Sequence, residues 1–196
     1  MARIKTNKNV SKKELILRKA AALFRERGFA GSTMRELADL VGVEAPSLYN
    51  HIGSKSELLQ AICFQVADLF NRHLEEVKQS PLGYSKKLEE IIRFHIHMMQ
   101  ASFDEVFVAN HEWKQLPAPL FAEYLDQRRN YEAILTGWLE EGIRKKEFKK
   151  LNPRLTILTI LSALRGLESL FRNKKNISST ELENNLITQL LHGINK

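Results

Sequence analysis

The sequence predicts an all-α fold, and three observations carry that prediction. Apolar residues recur at helical spacing along almost the whole chain. No segment alternates with the period of two that a half-buried strand requires. Four helix starts share one pattern: Ser11, Thr33, Ser54 and Ser178 each stand three residues before a glutamate, at Glu14, Glu36, Glu57 and Glu181. In such a capping box the hydroxyl accepts an N–H of the first turn, and the carboxylate reaches back to the N–H of the cap.

Nine helices follow in order. The first covers 11–28, from the Ser11 cap to Gly28, with Gly31 as a further stop. The second, 34–41, starts behind Thr33 and stops at Gly42. The third, 45–51, carries Pro46 in its first turn, where no N–H is needed. The fourth, 55–79, runs from the Ser54 cap to the interruption at Pro81-Leu82-Gly83. The fifth is 84–100 and the sixth 103–115; Pro117 and Pro119 divide the sixth from the seventh, 118–146. Asn152-Pro153 opens the eighth, 153–173, and Ser178 opens the ninth, 179–193. No internal repeat and no low-complexity segment interrupts them.

The chain has 196 residues, of which 43% are hydrophobic and 27% charged, as expected of a folded globular protein rather than a disordered one. No stretch approaches the roughly 18 apolar residues that span a bilayer. The basic start MARIKTNKNVSKKE lacks the apolar stretch of a secretory signal. Cys63 is the single cysteine, so no internal disulfide forms, which fits a reducing compartment. The expectation is a soluble cytoplasmic protein with no membrane partner. The net charge of +7 is uneven: residues 1–60 hold 11 Lys and Arg against 6 Asp and Glu, the rest 19 against 17. Residues 1–19 carry seven basic side chains against Glu14 alone. A basic arm beside a near-neutral body suits a polyanion, although a solvated tail has the same composition.

Residues 33–52, TMRELADLVGVEAPSLYNHI, hold the chemistry. Two short helices meet at Leu40-Val41-Gly42-Val43, with small Ala38 where the helices cross and Gly42 free to take the positive φ of the turn. Leu37, Val41, Val43 and Leu48 supply the core that sets the angle between them. This is the spacing of a helix-turn-helix, whose second helix enters the DNA major groove; a plain αα-corner is the alternative. The flanks favour DNA. Thr33 and Ser54-Lys55 open helices with free N–H groups and a cation, and Tyr49 and His51 can donate to phosphate oxygens.

Residues 16–62, ILRKAAALFRERGFAGSTMRELADLVGVEAPSLYNHIGSKSELLQAI, resemble the N-terminal domain of the TetR family of transcriptional regulators. The resemblance includes Ala20, Phe24 and Gly28-Phe29 of the first helix, Leu48-Tyr49-Asn50-His51, and Lys55-Ser56-Glu57-Leu58-Leu59. It implies phosphate contacts from Thr33, Tyr49 and Lys55. Base contacts would come from the stretch Glu44, Ala45, Pro46, Ser47, Leu48, Tyr49 and Asn50. The family often has Ser-Lys-Gly where this chain has Glu44-Ala45-Pro46. A cation is lost there, and Glu44 either accepts from a cytosine amino group or points to solvent, the favoured reading. The division that follows is a reader with its basic arm at 1–54 and an effector-binding and dimerisation body at 55–196.

The eighth helix, LTILTILSALRGLESLF, is apolar nearly all round and must be covered. Ser162, Gly166 and Ser169 form a small-residue stripe beside Leu158, and Leu186 and Leu190 lie on the ninth helix. In the family the last two helices pair with those of a second copy, so the resemblance implies a homodimer on a palindromic operator; internal core is the bland reading. Helices four to seven carry Phe64, Phe70, Phe94, Met98, Met99 and Phe103, followed by Phe107, Trp113, Phe121, Tyr124, Tyr131 and Trp138. Each alone reads as core, but together they suit a cavity for an apolar or amphipathic ligand, and the family has its effector pocket in this region. HEWKQL followed by Arg128-Arg129-x-Tyr131-Glu132 is similar to members that sense lipid-like or acyl-coenzyme A compounds. His73, His95 and His111 each follow an apolar stripe by one turn. Three imidazoles with Glu112 could ligate a metal, yet no pair has i, i+4 spacing, so hydrogen-bonded core or pocket histidines are expected, with neither metal nor cofactor. A ligand-responsive repressor is the resulting expectation. An architectural DNA binder remains the alternative. An enzyme is disfavoured, because no nucleophile elbow or phosphate loop is present.

Overall fold

The computed structural model describes residues 11–49, 52–172 and 178–193. Ten α-helices occur among them: α1 Lys12–Arg27, α2 Met34–Val41, α3 Ala45–Tyr49, α4 Lys55–Gln79, α5 Tyr84–Ala101, α6 Phe103–His111, α7 Ala118–Arg144, α8 Pro153–Gly166, α9 Glu168–Arg172 and α10 Ser179–His192. The all-α fold is as the sequence predicts. The element count differs at two places. The predicted sixth helix ends at His111, and Trp113–Gln115 continue as a 3₁₀ turn ahead of Pro117. The predicted eighth helix breaks after Gly166, where the buried Leu167 donates its N–H back to Leu164 O and turns the chain into α9. The seventh stops two residues early, because Lys146 takes a positive φ of 64°.

The hydroxyl of each predicted capping box does accept the N–H three residues on. Both halves of the box close only at Thr33: its N–H donates to Glu36 Oε2 at 2.8 Å, and its Oγ1 accepts from Glu36 N–H at 3.2 Å. At Ser11 and Ser54 the glutamate serves another neighbour. Glu14 receives Arg18, and Glu57 accepts the Gly53 N–H rather than that of the cap.

α4 spans about 37 Å at the α-helical rise and enters all three cores. Its first half supplies Leu58, Leu59, Ile62 and Cys63 to a core shared with Phe24 of α1, Leu37 of α2 and Leu48 of α3. That core does not stop at residue 54; it continues into Val108 of α6 and Tyr124 of α7. Val66 joins Met98, Met99 and Val106 in a small central cluster. Leu74 and Val77 reach the large distal core, with Ile92 of α5, Leu135 of α7, Phe148 and Ile160 of α8. Each such side chain contributes about 1.5–3 kcal/mol by leaving water. α6 is tied to the reader as well, since Arg25 of α1 pairs with Asp104 and lies over the Phe103 ring at 5.7 Å. No helix of the described residues is long and apolar enough to cross a membrane.

Two glycines of α7 make opposite predictions. A Cβ on Gly142 would stand 2.4 Å from the buried Phe148 ring and 3.2 Å from Tyr84 Cβ, whereas one on Gly137 meets nothing within 4 Å. Gly142→Ala therefore destabilises by about 1–3 kcal/mol through overpacking. Gly137→Ala stabilises by about 0.5–1 kcal/mol through helix propensity. Denaturant unfolding of the two variants checks the difference in sign.

Candidate nucleic-acid interface and effector cavity

The turn between α2 and α3 has the geometry that its residues require. Gly42 takes the left-handed conformation, φ 75° and ψ 37°, and its N–H donates to Ala38 O at 2.9 Å. Val43 N–H donates to the same carbonyl at 3.0 Å. Ala38 is buried beneath the crossing, and Leu37 and Leu48 pin the two helices to α1 and α4. On the outer face of α3, Glu44, Pro46 and Tyr49 are exposed, while Ala45 and Ser47 are half-buried. Asn50 and His51 lie outside the described residues, as do the basic side chains before Ser11.

Three of the predicted DNA contacts need correction or qualification. Leu48 has no exposed surface and serves the core, so it cannot touch a base. Lys55 is not a free cation: its Nζ donates to Phe29 O at 2.7 Å and Ser32 O at 2.8 Å and sits 4.5 Å above the Phe29 ring. The ammonium clamps the start of α4 onto the α1–α2 connection. The Thr33 hydroxyl is held inside its capping box, donating to Glu36 Oε2 at 2.8 Å. That bond and the Thr33 N–H hold the Glu36 carboxyl below its ordinary range.

Behind the reader lies an open-mouthed cavity of about 130 Å³ lined by residues of α4 to α8, many times the roughly 10–15 Å³ that admits one water. Its apolar wall is Val66, Ala67, Phe70, Met99, Val106 and Leu164. Of the predicted pocket residues, Phe70, His95, Met99, Tyr124 and Tyr131 line it. The others do not. Phe64 packs on Tyr124, and Trp113 stacks on Phe121 at 5.3 Å. Phe103 meets Phe107 and Phe171, Met98 is buried beside Val66, and Trp138 lies under Lys87 at the far end. The three histidines part company, so a shared metal centre does not form. His73 stacks on Phe94 at 4.0 Å, His95 bonds Tyr131, and His111 on the surface bonds Glu168 at 2.6 Å. Among the described residues no three His, Cys, Asp or Glu side chains gather as a metal site.

The polar part of the wall is the part that aromatic counting misses. Arg128 of α7 and Arg165 of α8 both line the cavity, and neither makes an ion pair among the described residues. Arg128 is half-buried above Trp113 and Tyr124, at 5.5 and 5.9 Å from the ring centres. Arg165 stands at the exposed rim. Desolvation first, and then the charge of Arg128, make its guanidinium less basic than usual. Glu132 is the one carboxylate on the described wall, and it leans toward Arg154 at 3.9 Å. Asn71 donates to Gln127 at 3.2 Å and Asn110 to Glu168 at 3.1 Å, so these amides are partly occupied. Arg128 was within reach of sequence reading, one turn before Tyr131. Arg165 was hidden in a helix that reads as apolar.

Residues 16–62 match the family model described as bacterial regulatory proteins, tetR family, and residues 82–194 match the tetracyclin repressor-like, C-terminal domain. The chain belongs to the TetR family of transcriptional regulators. Among relatives, the transcriptional repressor KstR2 of Rhodococcus jostii is 31% identical over 132 residues, covering 66% of this chain and 64% of that one. This chain thus aligns with just under two thirds of that relative's length. The fatty acid metabolism regulator protein of Bacillus subtilis is 23% identical over 181 residues, 91% of this chain and 93% of the other. The structure of KstR2 of Mycobacterium tuberculosis superposes with a TM-score of 0.90 at 22% identity, over 99% of this chain and 100% of that one. AibR, solved with isovaleryl coenzyme A and operator DNA, superposes with a TM-score of 0.81 at 22% identity, over 92% and 98%. These superpositions show the shared fold. The helix-turn-helix of this TetR-family chain is accordingly a DNA-binding element, with Lys55 behind it as a clamp.

Removing that clamp separates two roles. Lys55→Ala lowers stability by about 1.5–3 kcal/mol, the scale of hydrogen bonds to a charged group, in denaturant unfolding. A phosphate contact would instead leave stability unchanged and reduce the salt slope of DNA binding by about one.

Proposed function

We propose that the chain is a homodimeric, ligand-responsive repressor that holds a palindromic operator and is released from it by an amphipathic anion, lipid-like or acyl-coenzyme A-like. The observation that carries this reading is the pairing of an apolar cavity with two guanidinium groups, Arg128 and Arg165, that make no ion pair among the described residues. An apolar wall takes a hydrocarbon body. Guanidinium forks bind carboxylate and phosphate oxygens. Relief of the mutual repulsion between the arginines adds to the attraction of such an anion. The relatives named as KstR2 repressors and the complex of AibR with a coenzyme A thioester and operator DNA support the same reading.

A helix-turn-helix covers few base pairs, so two copies spaced by about one DNA turn supply specificity. The surface available for pairing is the outward face of α8. Leu155 is 62% exposed, and Thr159, Ser162, Gly166 and Ser169 continue that exposed face. Leu158 is partly covered, and Leu186 and Leu190 of α10 are half-buried against the chain's own core, which leaves them at the edge of that surface. In functional terms residues 1–54 read DNA and 55–196 sense the effector and pair, in the cytoplasm where the operator lies. α4 carries the signal. It starts at the Lys55 clamp and lines the cavity with Val66, Ala67 and Phe70. The effector prefers a state of the dimer in which the two reading helices are misplaced for operator DNA, and it shifts the equilibrium by that difference in affinity.

Operator DNA recovered by selection from random sequence, followed by fluorescence anisotropy with octanoyl-coenzyme A, tests the reading. The thioester releases wild-type protein. Arg165→Met, which keeps operator affinity, needs about tenfold or more thioester for the same release. Equal release of both proteins, or none of either, contradicts the proposal.

A further inference from the structure

His95 of α5 and Tyr131 of α7 meet within the cavity wall, with His95 Nε2 3.1 Å from Tyr131 Oη. Among the described residues neither ring makes a second hydrogen bond. A neutral imidazole carries one N–H and one bare nitrogen, and a phenol carries one O–H and free lone pairs. The bond between them uses one donor and one acceptor. Whichever group donates in it, one donor and one acceptor are left over.

The rings packed around the pair are apolar. Phe70 packs on both rings, at 4.5 Å from His95 and 6.2 Å from Tyr131, and Met99 and Leu164 continue the apolar wall. Both groups stay uncharged. Burial, followed by the nearby charge of Arg165, pulls the His95 imidazole down to about 3, and burial pushes the Tyr131 phenol well above its ordinary range. The guanidinium of Arg165 stands at the exposed rim of the same cavity. Tyr131 is buried, only 9% exposed. The cavity wall therefore carries guanidinium groups and, apart from them, this neutral pair.

We infer that the His95–Tyr131 pair is a specificity element of the cavity, reading an uncharged oxygen carried on the effector's apolar body away from its anionic end. A ketone accepts the spare donor. A hydroxyl accepts it and also donates to the spare acceptor, so it answers both. This rests on the reading of the cavity as a site for an amphipathic anion, and it narrows that class to oxygenated members. An effector whose body is plain hydrocarbon offers no partner to the spare donor and acceptor of the pair, which is the arrangement by which buried polar groups discriminate most strongly.

The test uses the intrinsic fluorescence of the full chain, since Trp113 lies directly against Arg128 of the cavity. The probes are octanoyl-coenzyme A and its mono-oxo isomers with the ketone at each position from C4 to C7. One isomer binds the wild type about five- to tenfold more tightly than octanoyl-coenzyme A, the scale of one neutral hydrogen bond. Tyr131→Phe and His95→Leu each abolish that preference, so that no oxo isomer binds the variant more tightly than octanoyl-coenzyme A does. Tyr131→Phe keeps the ring and its packing, so it decides the matter if His95→Leu does not fold. Binding of all thioesters without preference for any isomer overturns the inference alone, as does a preference that survives in Tyr131→Phe. Failure of every thioester to bind overturns the anionic-effector reading beneath it.

Discussion

The continuity of α4 is the constraint on which the remaining structure depends. One helix of 25 residues begins beneath the reader, where the Lys55 ammonium closes two carbonyl ends, and goes on to wall the cavity and enter the distal core. Its first half shares a core with α1, α2 and α3, so a displacement of α4 at the cavity is also a displacement at the reader. A close-packed interior does not absorb such a shift within one layer. The two ends are thus joined through one continuous packed helix. α6 adds a parallel route, joined to α1 through Arg25 and Asp104 and lining the cavity with Val106 and Ala109.

The cavity combines two kinds of electrostatic cost. At the rim two guanidinium groups face a partly desolvated space in which Glu132 is the single described carboxylate. Inside, an imidazole and a phenol use one bond between them and retain spare capacity. Protein interiors normally satisfy such groups, and cavities with a few convergent polar groups are where ligands are usually held. The reader core, by contrast, is closed, with Phe24, Leu37 and Leu48 fully enclosed.

Much of the fold was legible because its signals are local. Thr33 with Glu36, and Gly42 after Val41, place a cap and a left-handed turn within a few residues of one another, and the helices form where those signals put them. Proline at 117 and 153 marked helix starts for the same reason. What was not legible depends on neighbours distant in sequence. Nothing near Gly166 announces the break into α9, because burial of Leu167 against other helices decides it. Lys55 carries the right charge for a phosphate, yet Phe29 and Ser32 reach it first. The aromatic residues divided between cavity and core according to packing: Phe70 and Tyr131 face the space, and Phe64 and Trp138 do not. Counting aromatics pointed to a cavity in the right helices, but its chemical character came from Arg128, Arg165 and the His95–Tyr131 pair, whose relation is set by tertiary structure alone.

The central claim is that cavity and reader are two ends of one equilibrium. Linkage requires that whatever factor an effector takes from operator affinity, the operator takes from effector affinity. The direct measurement is the affinity of octanoyl-coenzyme A for the free protein and for the protein saturated with operator DNA, by titration calorimetry at one salt concentration. Weaker binding to the DNA complex, by the same factor as the thioester weakens operator binding, is the predicted result. Equal affinity for the two forms would contradict the account.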